Sequence, residues 1–223
     1  MEKHIVKVLD TFFVTHDVKA FRVNKPEGYS FRSGQATEVS INKPGLEDKR
    51  SPFTFTSMPT DEHLEFTIKI YPSHDGVTNE LLNVKKDDEL ILHDVFGEIA
   101  YKGPGVFIAG GAGITPFISI LRMLKKESKL KGHTLIFANK MKKDVILEEE
   151  LRSYLGDAFI NILDLEKAEG YEYGRITGKF LKEHVPNFAN YFYVCGPPSM
   201  IDAVLVFLSE LGVPEDKIVI EGD

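Results

Sequence analysis

The sequence predicts a two-domain protein in which an antiparallel β-barrel is followed by an α/β domain with a five-stranded parallel sheet. Up to about Tyr101, short apolar segments have a periodicity near two, which is typical of antiparallel strands. Beyond Gly103-Pro104-Gly105, strand-like and helix-like segments alternate, which favours a parallel sheet covered on both faces. Because the pattern changes at this Gly-Pro-Gly sequence, we expect the domains at 1–102 and 103–223.

Several short strands and one short helix are expected in the first domain. Clusters of Pro, Gly and Asp separate the strand-like segments, and such clusters mark turns. The expected strands are 4–9, 18–23, 36–41, 64–71 and 89–93, and the expected helix is 78–84.

The second domain is expected to contain five strands and three helices. The strands are 106–109, 134–138, 159–163, 191–195 and 218–220, and the helices are 116–126, 145–155 and 199–211. Asp144 is suited to cap the second of these helices, and Gly156 is suited to end it. A strand order of 3-2-1-4-5 would place strand 106–109 beside strand 191–195. The loops that follow these two strands would then face one site at the carboxyl edge of the sheet.

A glycine-rich loop connects strand 106–109 to the following helix. Gly110, Gly111 and Gly113 lack a Cβ atom, which lets the backbone turn tightly and approach a ligand. Thr115 is expected to cap the helix and Pro116 to occupy its first position. A helix N-terminus at the tip of such a loop favours an anion such as the diphosphate of a dinucleotide. The alternative is a tight strand-to-helix turn that binds no ligand.

Two segments of the first domain carry residue types suited to a flat heterocycle that bears phosphates. Arg50 offers a fork for phosphate, Phe53 a ring for stacking, and Thr54 a hydroxyl for a hydrogen bond to a ring edge. Gly76 precedes an expected helix start, which is again suited to phosphate. The alternatives are that Phe53 is a core residue and Thr78 an ordinary helix cap.

The composition argues against several functional classes. The chain has 223 residues with 27 Lys and Arg against 34 Asp and Glu, so its net charge is −7. This charge argues against nucleic-acid binding. No HExxH or HxxxH spacing and no Gly-x-Ser-x-Gly sequence occurs, which argues against metal-dependent and serine hydrolases. No metal site is expected.

Cysteine usage, the N-terminal sequence and the lack of a long apolar segment suggest a cytoplasmic protein. Cys195 is the single cysteine, so neither a disulfide within the chain nor a cysteine-ligated iron–sulfur cluster can form. A reducing compartment suits this composition. The sequence begins MEKHIVKVLD, without the apolar run of a signal peptide, and no segment approaches the ~20 apolar residues that span a bilayer.

These pieces together resemble the ferredoxin–NADP reductase superfamily over nearly the whole chain. The segment 110–116, Gly-Gly-Ala-Gly-Ile-Thr-Pro, matches the superfamily motif GGxGxTP, and Cys195-Gly196-Pro197 matches its Cys-Gly-Pro motif. Gly76-Val77-Thr78 is matched to its Gly-x-x-Ser motif, with threonine for serine and one intervening residue instead of two. The motif Arg-x-Tyr-Ser/Thr aligns with Ser51-Pro52-Phe53-Thr54, which puts Ser51 at the arginine position and Arg50 one residue early.

The resemblance implies a flavin barrel domain followed by a nicotinamide-nucleotide domain. Thr54 would contact flavin N5, and Thr115 and Cys195 would place the nicotinamide, so Thr54 and Cys195 are the predicted catalytic residues. Cys195 is not expected to act as a nucleophile, and its alternative role is a small buried apolar residue. The cofactor-binding residues implied are Arg50, Ser51, Pro52, Phe53, Thr54, Lys69, Ile70, Tyr71, Gly76, Val77, Thr78, Gly110, Gly111, Gly113, Thr115, Pro116, Cys195, Gly196 and Pro197.

The implied activity is hydride transfer from NADH or NADPH to FAD, with FMN the less favoured flavin. Single electrons would then pass to an acceptor such as flavodoxin, ferredoxin or an oxygenase component. We expect a monomer without nucleic-acid partners. The alternative is a flavin- and nucleotide-binding regulatory or electron-transfer subunit. Relatives of that kind usually carry a cysteine-rich cluster segment, and this chain has one cysteine.

The choice between NADH and NADPH depends on charges near the adenosine ribose. A 2′-phosphate requires an arginine or lysine, and Lys140 or Arg175 could supply it. Asp164 and Glu166 lie in the same region and would repel that phosphate. The sequence therefore favours NADH slightly.

Overall fold

The structure, a computed structural model, describes residues 3–71, 76–97 and 99–221. The chain divides into two compact units, Met1–Glu98 with Thr115–Met123, and Ile99–Ile114 with Leu124–Asp223. The chain first passes from the first unit to the second between residues 98 and 99, a few residues before the expected boundary at 102/103. The later segment Thr115–Met123 belongs to the first unit again. The assignment of functional domains to 1–102 and 103–223 stays a prediction.

The first unit contains a six-stranded antiparallel sheet with the strand order β4-β3-β6-β1-β2-β5. Its strands are β1 (His4–Phe13), β2 (Val18–Asn24), β3 (Ala36–Ile41), β4 (Ser51–Thr54), β5 (His63–Lys69) and β6 (Glu89–Phe96). A single antiparallel bridge between Phe55 and Phe66 joins the edge strands β4 and β5, so the two ends of the sheet meet. The antiparallel sheet is therefore confirmed, and β4 is a strand that the sequence prediction did not include.

The inward-facing residues of these strands form one apolar core. Val39, Phe55 and Phe66 are fully buried within it, as the period-two pattern of the strands predicts. The predicted helix at 78–84 is shorter and more irregular: α1 (Val77–Glu80) is followed by a 3₁₀ turn, Leu81–Asn83. Gly76, not Thr78, occupies the N-cap position, and no side chain of the described residues caps this helix.

The second unit contains a parallel sheet of six strands, not the five predicted, with the order β10-β9-β8-β7-β11-β12. Its strands are β7 (Gly105–Gly110), β8 (Thr134–Asn139), β9 (Phe159–Leu163), β10 (Glu172–Tyr173), β11 (Tyr191–Cys195) and β12 (Ile218–Val219). The order of the five strands that the sequence predicts is confirmed. The additional edge strand, β10, has two exposed residues and no apolar run, so no periodicity could indicate it.

Four helices, α2 (Thr115–Lys126), α3 (Glu148–Leu155), α4 (Gly178–His184) and α5 (Pro198–Glu210), connect or follow these strands. α3 begins three residues later than predicted. Asp144 does not cap it, because its carboxylate accepts the Met141 backbone N–H (2.9 Å) in a separate 3₁₀ turn. Gly156 ends α3 with a positive φ of 54°, as predicted. The sequence prediction omitted α4, a helix of only seven residues that Thr177 caps.

An aromatic cluster fills one face of the parallel sheet near the amino ends of its strands. The ring of Phe107 stacks on Tyr193, with centroids 4.6 Å apart, and the buried His133 packs beside both Phe107 and Tyr101. His133 Nδ1 lies 3.0 Å from the Leu130 carbonyl oxygen, so this nitrogen must carry the proton. The other ring nitrogen then accepts the Tyr101 hydroxyl (3.0 Å). The imidazole is therefore neutral, and burial lowers its pKa despite the bond to Leu130.

We expect the free energy of unfolding to fall as the pH drops below about 6.5, the imidazole pKa of an unfolded chain. The unfolded state then takes up a proton that buried His133 resists, because its folded pKa is lower. His133→Gln removes this titration while keeping a donor and an acceptor. Urea unfolding at pH 7.5 and 5.5 should show a smaller difference in stability for the variant.

His93 is a second buried histidine with a pKa lowered mainly by burial, so some pH dependence should persist in the variant. Equal loss of stability between pH 7.5 and 5.5 in both proteins would contradict the assignment to His133.

Candidate cofactor-binding site

Two loops meet at the carboxyl edge of the parallel sheet, within the second unit. β7 and β11 are neighbours, with Cys195 opposite Ala109, so the loops that follow the two strands start side by side. The first loop is a 3₁₀ turn, Gly111–Ile114, and the second is Gly196-Pro197, which leads into α5. The confirmed strand order therefore brings the GGxGxTP-like loop and the Cys-Gly-Pro loop together.

The two loops are in backbone contact, which only glycine permits. A Cβ atom at Gly113 would collide with the Cys195 carbonyl oxygen and would lie 2.6 Å from the Gly196 Cα atom. One at Gly196 would lie 3.0 Å from the backbone nitrogen of Gly110. Gly111 differs, because it has a φ of +51° and open space around its missing Cβ. Gly113 and Gly196 thus serve loop packing, whereas Gly111 leaves room for a ligand to approach the backbone.

Cys195 ends β11 as a free thiol that is unsuited to nucleophilic attack. Burial, with a smaller contribution from the nearby Glu221 carboxylate, raises its pKa to about 12. A thiol with this pKa stays protonated at neutral pH, and thiolate is the nucleophilic form. The prediction that Cys195 acts through position agrees with this protonation state.

Thr115 and Pro116 are the first two residues of α2, so Thr115 lies inside the helix and is not its cap as predicted. Both residues belong to the first unit, because the segment Thr115–Met123 groups with the antiparallel sheet. The six remaining nicotinamide-side residues lie together in the second unit: Gly110, Gly111, Gly113, Cys195, Gly196 and Pro197.

The flavin-like motif forms β4, an edge strand of the antiparallel sheet. Phe53 is half-buried and packs against the apolar core, which leaves part of its ring accessible. Arg50 lies close to Glu38, with Nη1 3.4 Å from a carboxylate oxygen. Glu38, on β3, lies opposite Pro52 and precedes Val39, whose side chain belongs to the core. Because successive side chains of a strand point to opposite faces, Glu38 and its ion pair with Arg50 lie on the outer face of the sheet. Arg50 therefore points away from the core side, where Phe53 lies.

The segment Lys69-Ile70-Tyr71 leaves β5 beside the turn between β1 and β2. Asp17 anchors it twice: its carboxylate lies 2.9 Å from Lys69 Nζ, and its carbonyl oxygen accepts the Ile70 N–H (2.8 Å). Burial opposes ionisation of Asp17, but the Lys69 ammonium outweighs it and lowers the pKa of that carboxyl group. Ile70 is buried and Tyr71 is exposed. In the segment predicted to bind phosphate, Val77 is buried, and Gly76 and Thr78 are partly exposed.

At the ends of β8 and β9, polar groups gather in the region expected to distinguish NADH from NADPH. The Asp164 N–H donates to the Asn139 carbonyl (3.1 Å), which extends the pairing of the two strands. Arg175 Nε lies 3.5 Å from one Asp164 carboxylate oxygen. The other carboxylate oxygen and the Asn139 side-chain nitrogen are buried without a hydrogen-bond partner in the described part of the chain. These groups could meet ribose hydroxyls.

The sequence prediction missed several residues that hold these segments in place. Asp17, Glu38, Ser119 and Arg122 were not singled out, and neither was Glu65, which bonds Arg122 across 57 sequence positions. Their partners are distant in sequence, so no local pattern could have indicated them.

Neither a metal centre nor a membrane-spanning helix is found among the described residues. Within residues 3–71, 76–97 and 99–221, no group of three or more His, Cys, Asp or Glu is placed to hold a metal ion. None of the helices in those ranges combines the length and apolar character needed to cross a bilayer.

Comparison with known proteins agrees with the geometry. Residues 107–205 match the family model of the oxidoreductase NAD-binding domain. The reductase component of propane 2-monooxygenase from Rhodococcus jostii (strain RHA1) is 30% identical, over 92% of this chain and 59% of the relative. This chain thus spans less than two thirds of that relative's length.

Solved structures share the fold at low identity. The FAD/NAD-binding domain of nitric oxide dioxygenase from Vibrio cholerae O1 biovar El Tor superposes with a TM-score of 0.86 at 23% identity, covering 97% of both chains. A ferredoxin NADP+ reductase from Neisseria gonorrhoeae, solved with FAD and NADP, superposes with a TM-score of 0.85 at 19% identity, covering 99% of this chain and 98% of that one.

Residues 107–205 thus match an oxidoreductase NAD-binding domain, and the whole chain shares the fold of the two solved structures. These matches support the resemblance to the ferredoxin–NADP reductase superfamily that the motifs indicate.

We predict that Gly113→Ala lowers the free energy of unfolding by about 3 kcal/mol, because its methyl group meets backbone atoms of Cys195 and Gly196. Gly111→Ala is the matched control in the same loop. It meets no atom within 4 Å and should cost about 1 kcal/mol through its positive φ alone. Urea unfolding of both variants measures the difference. A cost for Gly113→Ala no larger than that of the control would show that the loops can separate easily.

Proposed function

We propose that the protein is an NAD(P)H-dependent flavoprotein reductase that takes a hydride from a reduced nicotinamide nucleotide onto bound FAD and passes electrons to an acceptor. The observation that carries the proposal is the glycine-only contact between the Gly110–Gly113 and Cys195–Pro197 loops, within a matched oxidoreductase NAD-binding domain. The similar structures named above are described with FAD and with nicotinamide nucleotides, which supports the same cofactors here.

The residues present fit a dinucleotide at the second unit. Gly111 leaves open space where a Cβ would stand in other residues, and the neutral Cys195 thiol adds no charge beside a nicotinamide. In the first unit, the edge strand β4 carries Thr54, which has a hydroxyl, and Phe53, which has an aromatic ring, and both residues are partly exposed. FAD, when bound, supplies the conversion of a hydride into single electrons. The protein's own residues bind the cofactors and orient them.

Arg50 is a poorer fit to the role of diphosphate ligand. Its guanidinium is close to Glu38 on the outer face of the sheet, whereas the aligned arginine position holds Ser51. We keep Gly76, Val77 and Thr78 as the proposed diphosphate contacts, with Lys69, Ile70 and Tyr71 beside the flavin. Arg50 could take part only if its side chain left Glu38.

NADH is the proposed donor. A ribose with free hydroxyls can donate to the Asp164 carboxylate oxygen that is buried without a partner. The negative charge of a 2′-phosphate would instead be repelled by the Asp164 carboxylate. Arg175 is not free to offset this repulsion, because it already lies against the other carboxylate oxygen of Asp164. Both the geometry and the local charge therefore favour the nucleotide without the phosphate.

The acceptor is proposed to be a small electron carrier such as flavodoxin or ferredoxin, or the oxygenase component of a monooxygenase. The relative from Rhodococcus jostii is named as the reductase component of such a system. The single cysteine, Cys195, suits a reducing cytoplasm. A regulatory subunit would bind the same cofactors without rapid electron transfer, and the experiment below separates the two.

The deciding measurement is the visible spectrum of the purified protein, loaded with FAD, before and after addition of NADH or NADPH without oxygen. We expect flavin absorption bands that NADH bleaches rapidly and NADPH bleaches much more slowly. Failure to bind either FAD or FMN would refute the reductase function. Bound flavin that neither nucleotide reduces would favour the regulatory subunit.

Asp164→Asn should narrow the preference for NADH. The substitution keeps the side-chain shape and removes the negative charge that a 2′-phosphate would meet, so kcat/KM for NADPH should rise relative to that for NADH by about tenfold or more, equivalent to ~1.4 kcal/mol. Glu172→Gln, an exposed carboxylate on the edge strand β10, is the control and should leave the ratio unchanged. An unchanged ratio in Asp164→Asn would place the selecting group elsewhere.

A further inference from the structure

Helix α2 is hydrogen-bonded to the segment that directly follows the motif predicted to bind the flavin. The contacts all lie within the first unit, which includes Thr115–Met123 of this helix. The Ser119 hydroxyl donates to the Ser57 carbonyl (2.6 Å), and its oxygen lies 2.9 Å from Ser33 Oγ. Ser119, Ser57 and Ser33 are all buried, so water does not compete for these bonds.

A charged contact lies next to these hydroxyl bonds. Arg122 Nη1 donates to the Thr56 carbonyl (2.8 Å) and lies 2.6 Å from one carboxylate oxygen of the buried Glu65. Thr56 Oγ1 donates to the same oxygen (3.1 Å), and Arg22 Nε lies 2.9 Å from the other. Burial opposes ionisation of Glu65, but Arg122 and Arg22 outweigh it and lower the pKa of the carboxyl group.

The positions that these bonds hold are close in sequence to the two residues of the first unit that are predicted to contact the flavin ring and the nicotinamide. Thr56 and Ser57 follow shortly after Thr54, the predicted flavin N5 contact. Ser119 and Arg122 lie about one and two helical turns after Thr115, the predicted nicotinamide contact. A helix is stiff over two turns, so fixing Ser119 and Arg122 on Thr56 and Ser57 also fixes Thr115 relative to Thr54.

We propose that Ser119 and Arg122, with Glu65 as the anchor of Arg122, are positioning residues for hydride transfer. They keep Thr115, which is predicted to place the nicotinamide, at a fixed position relative to Thr54, which is predicted to orient the flavin. This inference rests on the proposed function. The rate of a group transfer falls steeply when the reacting groups are misplaced by a fraction of an ångström to one ångström, whereas the binding of each cofactor depends on many other contacts.

The test compares Arg122→Met and Ser119→Ala with the wild-type protein, all loaded with FAD. Anaerobic stopped-flow absorbance at saturating NADH gives the rate constant for flavin reduction. We expect Arg122→Met to lower this constant about tenfold and Ser119→Ala to lower it severalfold. The dissociation constants for FAD and NADH should change less than twofold. Arg122→Lys should restore part of the rate, because an ammonium keeps the charge but not the fork.

Two controls separate positioning from general loss of stability. Val23→Ala removes buried core volume from the same unit and should lower stability without changing the rate constant of the folded protein. Arg152→Met removes an Arg–Glu ion pair of α3 (3.0 Å) and should also leave the rate unchanged. If Arg122→Met does not fold, Ser119→Ala and Arg122→Lys decide the question.

Rate constants for both Arg122→Met and Ser119→Ala that equal the wild-type value would overturn the inference and leave the proposed function intact. The same conclusion follows if the variants are slowed no more than Val23→Ala. If NADH does not reduce the flavin of the wild-type protein, the proposed function fails first and this inference fails with it.

Discussion

The close approach of two backbones at the carboxyl edge of the parallel sheet is the constraint on which the candidate nucleotide site depends. β7 and β11 are adjacent, so the loops after them must share a space that leaves no room for a Cβ at Gly113 or Gly196. This contact fixes the position of the Cys195 thiol relative to the open space beside the Gly111 backbone. The glycines of the motif therefore have two separate tasks: some allow the loops to pack, and one leaves the backbone accessible.

Short, continuous apolar runs that alternate with helix-like segments were enough to predict most of the parallel sheet from sequence. β7 and β11 are fully or largely buried apolar runs, and their adjacency followed from the common strand order of doubly wound sheets. Short elements escaped prediction because they lack periodicity: β10 has two residues, and α4 is defined as much by the Thr177 cap as by its apolar face. The prediction for Asp144 failed for a different reason. A residue type suited to capping also occurs in turns, and Asp144 lies in a 3₁₀ turn that precedes α3.

Residue type alone could not predict the surroundings of the proposed flavin contacts. Arg50 and Lys69 each have the charge that a phosphate requires, yet each lies against a carboxylate, Glu38 and Asp17. These carboxylates come from other strands or turns, so sequence spacing gave no sign of them. A cation already paired in this way offers less free charge to a ligand, because an incoming phosphate must compete with the carboxylate. At the Gly76–Thr78 segment, by contrast, no side chain of the described part of the chain caps the helix start and occupies its backbone N–H groups.

The buried Glu65 carboxylate suggests why a charged contact, rather than an apolar one, joins α2 to the antiparallel sheet. Buried ion pairs contribute little net stability, because desolvation offsets most of their attraction. Their loss on one side is costly, however, since a buried charge without its partner is penalised by about 3–5 kcal/mol. An apolar contact would tolerate a small slide of the helix along the sheet, whereas Glu65, Arg122 and the Thr56 carbonyl are satisfied together in one register. The ion pair therefore defines position more strongly than it adds stability, which is the property that the proposed hydride transfer requires.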